Sequence, residues 1–127
     1  MKRTSAALGV VLLFSFVVPV FAIDVTGTLI DLNCYMKDKS NTGVDHKMPQ
    51  DTKDCAIACA KMGNQVALLT DSGEVYLVKG ALAENNNARL YRLLGSKVAV
   101  QGSVTIPANG PKTILGGAIK RLNATQK

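Results

Sequence analysis

Apolar and polar residues alternate in several short stretches of this chain, as they do in half-buried β-strands. The alternation is most regular in residues 23–31 and 97–106. Within the second stretch, the positions predicted to face inward are Val98, Val100, Val104 and Ile106. Residues 66–70 and 74–78 flank a short turn that contains glycine, which predicts a β-hairpin. Residues 112–122 supply a fifth strand after an Asn-Gly turn.

Two segments between the predicted strands carry helical signals. Residues 51–62 are rich in alanine, begin at an Asp-Thr pair that can cap a helix, and are followed by Gly63. Residues 85–94 begin with three asparagines, contain leucines at helical spacing and are followed by Gly95. The polar residues 35–50 predict a long loop before the first helix, and such loops in compact domains are usually functional or disordered.

The order of these elements predicts a mainly β protein. Five strands with a helix between the third and the fourth are typical of the OB-fold barrel, and here a further helix lies in the insert between the first two strands. Glycines within the strands suit strands that coil around a small barrel. We therefore predict a five-stranded OB-fold-like domain.

Three parts of the chain resemble a group of small exported single-domain OB-fold proteins. Two of them are the strand segments VTGTLID, residues 25–31, and GSKVAVQGSVT, residues 95–105. The third is the insert, whose distinctive side chains are Cys34, His46, Cys55 and Cys59. The resemblance covers most of residues 23–122 and implies the fold, but it implies no activity.

The first residues have the three parts of a secretory signal peptide. Lys2 and Arg3 form a basic start, an apolar run follows, and Val20-Phe21-Ala22 fits a cleavage site for small residues. We expect residues 1–22 to be removed, leaving residues 23–127 as one periplasmic or secreted domain without a membrane anchor.

The charge pattern and the low aromatic content of the chain argue against nucleic-acid binding. The chain has a formal net charge of +6, and the 13 basic and 9 acidic residues that remain after Ala22 leave a net charge of +4. These charges are interleaved along the chain, as on a solvated surface. Only three tyrosines remain as aromatic residues after cleavage, whereas single-stranded nucleic acid needs aromatic stacking platforms. We expect the partner to be a metal ion or a protein.

The chain's three cysteines and its single histidine lie together in the insert. Cys55 and Cys59 are four residues apart and therefore share one face of the predicted helix. With Cys34 and His46 they make a Cys3His set, which suits tetrahedral zinc. Three methionines in or beside the insert (Met36, Met48 and Met62) extend the possibility to Cu(I), which prefers sulfur ligands. We predict a zinc or copper site at these four residues.

Two other interpretations of the cysteines stay open at this point. In an oxidising compartment Cys34 can pair with Cys55 or Cys59, which would give a disulfide-stabilised interaction domain with one free cysteine. A thiol-redox protein is the third, supported by the position of Cys55 near a helix N-terminus, where a thiolate is stabilised. Since no sequence motif of a hydrolase, a metalloprotease or a phosphate-binding loop is present, binding is favoured over catalysis.

Overall fold

The computed structural model describes residues 22–42 and 51–123. His46 and all of the predicted signal peptide except Ala22 lie outside these residues. The strands are β1 (Ile23–Asp31), β2 (Val66–Leu69), β3 (Val75–Lys79), β4 (Lys97–Thr105) and β5 (Lys112–Arg121). Two helices, α1 (Leu32–Lys37) and α2 (Asp51–Lys61), follow β1. The prediction of a mainly β protein with five strands is confirmed.

The strands close on themselves in the order β1-β2-β3-β5-β4. Four of the pairings are antiparallel, including the two predicted hairpins β2–β3 and β4–β5. The fifth, between β3 and β5, is parallel, because the chain crosses one end of the sheet between β3 and β4. Each of the five described strands therefore has two neighbours, although β1 pairs with β2 only from Thr28 to Asp31 and β5 pairs with β3 only from Lys112 to Leu115.

The inward-facing residues of the strands form the main hydrophobic core. It includes Leu29, Leu68, Val98, Val100 and Ile114, all of which are completely buried. Two alanines of α2, Ala56 and Ala60, belong to the same core, so α2 packs against one end of the barrel. Because these alanines are four residues apart, they form a narrow stripe that lets the helix approach closely.

A second, smaller core lies on the outer face of β1, β2 and β3. Ile30, Ala67 and Leu77 are buried there, and Leu32 and Tyr35 of α1 pack against them. The sequence did not predict α1, since residues 35–50 looked like one polar loop. The helix forms because its first turn is capped and because Leu32 and Tyr35, three residues apart, cover apolar surface on the barrel.

The segment between β3 and β4 differs from its prediction. Instead of one helix over residues 85–94, it holds a 3-10 turn at Gly80–Leu82, a helical turn at Glu84–Asn87 and a second 3-10 turn at Tyr91–Leu93. Its three asparagines have positive φ angles of 53°, 52° and 58°, which end any regular helix. The leucines Leu90 and Leu94 are nevertheless completely buried, as the spacing predicted.

Two large apolar residues near strand ends are exposed, and one of them, Ile106, was predicted to face inward. Ile106 is 64% exposed because β4 ends one residue earlier, at Thr105, so its side chain lies in the connection to β5. Ile23, at the outer end of β1, is 52% exposed. Among the described residues, no helix is long and apolar enough to cross a membrane.

Candidate metal centre

Cys34 owes its position to the end of β1. Asp31, the last residue of that strand, is the N-cap of α1, and its Oδ1 accepts a hydrogen bond from the backbone N–H of Cys34 at 2.9 Å. Asp31 continues the inward-facing alternation of Leu29, so the carboxylate is directed to the end of the barrel rather than to its outer surface. Leu32 and Tyr35 pack on that outer surface, and Cys34 lies between them in sequence.

Cys55 and Cys59 lie on α2, each directly before one of its buried alanines. Cys55 is exposed and Cys59 is half-buried. The helix ends as the sequence predicted: Gly63 has a φ angle of 91°, and the N–H of Asn64 donates to the carbonyl of Cys59 at 3.2 Å. The packing of Ala56 and Ala60 on the barrel thus places the edge of α2 that carries both cysteines beside α1.

The two helices bring the three thiols together. The Sγ atoms of Cys34, Cys55 and Cys59 all lie within 4.8 Å of one another. Thiolates held about 2.3 Å from a tetrahedral zinc ion are about 3.8 Å apart, so a contraction of about 1 Å would let all three reach one ion. The cysteines are free, and no disulfide joins them. Three of the four residues predicted for a metal site are therefore positioned to hold an ion.

The surroundings of Cys34 and Cys59 favour the neutral form of these two thiols in the absence of a metal ion. Burial raises the pKa of the Cys34 thiol to about 12, and the Asp31 carboxylate adds to this effect through hydrogen bonding and negative charge. Burial also raises the pKa of Cys59, and the neighbouring Cys55 adds to it. A bound cation would reverse this preference, because it stabilises the thiolate form of each ligand.

Asp31 is the residue of this site that sequence reasoning missed. It is 2% exposed, and its Oδ2 has no hydrogen-bond partner among the described residues. In the sequence it reads as a single acidic residue at a strand end. The available signal was its position three residues before Cys34, which matches an N-cap that bonds to the third helical N–H.

The remaining predicted donors lie outside the described residues or are largely exposed. His46 lies outside the described residues, as does Met48. Met36 is 61% exposed and its sulfur accepts a hydrogen bond from Lys39, while Met62 is 73% exposed beyond the end of α2. Met62 directly follows the last residue of α2, Lys61.

Comparison with known proteins gives no further assignment. No protein-family model, no curated protein and no solved structure matches this chain. Its candidate chemistry consequently depends on the geometry of the three cysteines and their surroundings.

Proposed function

We propose that this protein is an exported OB-fold domain that binds a zinc or copper ion through Cys34, Cys55 and Cys59. The observation that carries the proposal is the approach of three thiols, contributed by two separate helices, to within 4.8 Å of one another. Thiolates are the preferred protein ligands of both ions. The protein binds the ion rather than using it in catalysis.

The OB-fold assignment is supported by the strand order and by the parallel pairing of β3 with β5. The OB-fold is a five-stranded barrel of this kind, and its fold alone does not specify a ligand. The metal ion is therefore assigned from the insert between β1 and β2, which contains all of the chain's cysteines.

A site of three thiolates leaves a fourth position on a tetrahedral ion. The sequence predicts His46 there, from the segment that joins α1 to α2. A closed site of four protein ligands is typical of structural metal ions, and an open fourth position is typical of ions that react or are passed on.

Native mass spectrometry of the exported protein, purified without chelator, tests the proposal. We expect a chain that begins at Ile23 and carries one extra metal ion, whose mass identifies the element. Cys59→Ser should lose the ion because it removes one thiolate. Ala58→Ser, a matched control at the neighbouring exposed position of α2, should retain it. A wild-type chain that takes up neither ion would contradict the proposal.

The same proximity of the thiols supports a second candidate, a disulfide-stabilised interaction domain. Sulfur atoms within 4.8 Å need to approach to about 2.05 Å to form a disulfide, which requires a modest movement of α1 or α2. The same spectrum separates the two functions, since the second predicts a metal-free chain two hydrogens lighter than the reduced mass. In that case one cysteine remains free, and the expected partner is a protein.

A further inference from the structure

Asp31 combines two features that are costly together in a protein without a bound cation. Its side chain is 98% buried, and only one of its carboxylate oxygens is used, by the backbone N–H of Cys34. Oδ2 has no hydrogen-bond partner in the part of the chain that the structure describes. A buried carboxylate oxygen without a donor is destabilising unless a positive charge or a hydrogen-bond donor lies against it.

The carboxylate of Asp31 lies beside Cys34, because its Oδ1 accepts the backbone N–H of that cysteine. Its negative charge also contributes to the raised pKa values of the Cys34 and Cys59 thiols. These two thiols belong to the group that lies within 4.8 Å. The carboxylate of Asp31 is not within 4.8 Å of all three sulfur atoms, so the buried oxygen would reach a cation bound among them only after a contraction like the one that the thiols need. A cation drawn in this way would stabilise the buried oxygen.

We infer that Asp31 supplies an oxygen donor to the ion held by Cys34, Cys55 and Cys59, so that the site selects a divalent ion such as zinc over Cu(I). This inference rests on the proposed metal-binding function and makes Asp31, rather than His46, the fourth ligand. Oδ1 keeps its role as the cap of α1 while Oδ2 faces the ion.

The negative charge of Asp31 and the oxygen atom that it would donate both favour zinc over Cu(I). Carboxylate oxygen is an ordinary zinc ligand, whereas Cu(I) selects thiolates and thioethers. A negative charge at a fixed distance also attracts an ion of charge +2 twice as strongly as an ion of charge +1. Three thiolates alone would favour the softer Cu(I), and the added carboxylate shifts the preference toward zinc.

Competition titrations with zinc and with Cu(I), against chelators of known affinity, test the inference in the Asp31→Asn variant. Asparagine is as good an N-cap as aspartate, so α1 keeps its capping hydrogen bond while the charge is lost. We expect the zinc affinity to fall at least tenfold more than the Cu(I) affinity. Asp38→Asn, which removes the same charge from the exposed other end of α1, should change both affinities less than threefold.

X-ray absorption at the zinc edge of the wild-type protein gives a second test that does not depend on how any variant folds. We expect three sulfur neighbours and one oxygen, without the outer-shell scattering of an imidazole ring. Imidazole scattering, or equal losses of zinc and Cu(I) affinity in Asp31→Asn, would overturn the role of Asp31 and leave the three-cysteine site intact. A wild-type protein that binds neither ion would overturn the site as well.

Discussion

The side-chain nitrogen of Asn87 donates a hydrogen bond to the backbone carbonyl of Ala60 at 2.8 Å, although the two residues are 27 positions apart. The same nitrogen donates to the carbonyl of Asn64 at 2.9 Å. Asn87 is 4% exposed and has a φ angle of 58°. One buried amide thus satisfies two carbonyls at the C-terminal end of α2 and attaches that helix to the segment between β3 and β4.

Asn87→Asp should therefore weaken both the fold and the candidate metal centre. Aspartate fits the same backbone conformation, but it replaces the donating amide by an acceptor that faces two carbonyl oxygens. We expect the free energy of unfolding to fall by about 2–4 kcal/mol in urea titrations. The same change in Asn86, which is exposed and has a φ angle of 52°, is the matched control and should stay within about 0.5 kcal/mol. Equal effects in the two variants would contradict the role of the buried amide.

The backbones of the paired strands β4 and β5 approach each other closely at Gly102. This approach is possible because Gly102 has no side chain. A Cβ atom placed there would lie 2.1 Å from the carbonyl oxygen of Leu115, next to the irregular pairing at Gln101 and Gly102. Gly102→Ala should lower the free energy of unfolding by about 2 kcal/mol or more, because the backbone must move to admit the methyl group.

Gly117 provides the control for this substitution in the neighbouring strand. Apart from Gly117 itself and its two chain neighbours, no atom would lie within 4 Å of a Cβ atom at this position. Gly117→Ala should change the free energy of unfolding by less than about 0.5 kcal/mol. Equal free energies of unfolding for Gly102→Ala and Gly117→Ala, measured by thermal or urea unfolding, would contradict the close approach of β4 to β5 at Gly102.

The raised pKa of Cys34 makes the metal-free protein sensitive to alkali. The ordinary thiol pKa is 9.0 and the folded value is about 12, so the unfolded chain releases this proton first as the pH rises. The contribution to stability is complete below pH 9 and is lost between pH 9 and 12. Urea titrations at several pH values, with reductant and chelator, should show a steeper loss for the wild type than for Cys34→Ser. Parallel curves would contradict the prediction.

The three thiols should react with iodoacetamide in an order set by exposure and ionisation. At pH 8 a thiol with a pKa of about 12 is ionised to only about one part in 10,000, and Cys34 is half-buried as well. Exposed Cys55 should therefore be modified first, and peptide mass spectrometry should find it at least tenfold ahead of Cys34. Addition of zinc should protect all three, whereas early modification of Cys34 would contradict the described geometry.

Local patterns in the sequence were sufficient for the regular elements. The regular alternation of apolar and polar residues over 97–105 predicts a half-buried strand. The reason is that successive side chains of a strand point to opposite faces of the sheet. The alanines favour helix α2, and Gly63 marks where it ends. The four-residue spacing places Cys55 and Cys59 on one side of this helix. These properties depend on neighbours a few residues away, so the sequence predicts them directly.

Features that depend on distant contacts were not predictable in the same way. The helix expected over residues 85–94 gives way to short turns, in which Asn87 makes two hydrogen bonds to residues more than twenty positions away. Helix α1 has only six residues and depends on the outer face of the barrel for its burial. Propensity alone does not stabilise so short a helix.

For the candidate site, the sequence by itself determined that the cysteines are candidate metal ligands and that two of them share a helical face. Only the tertiary structure decided that Cys34 joins them and that Asp31, which caps the helix carrying Cys34, has a buried oxygen without a hydrogen-bond partner among the described residues. The reason is that α1 and α2 are separated along the chain and meet only because each packs on the same barrel. Their meeting point is fixed by core burial at Ala56, Ala60 and Leu32, which no local spacing of cysteines encodes.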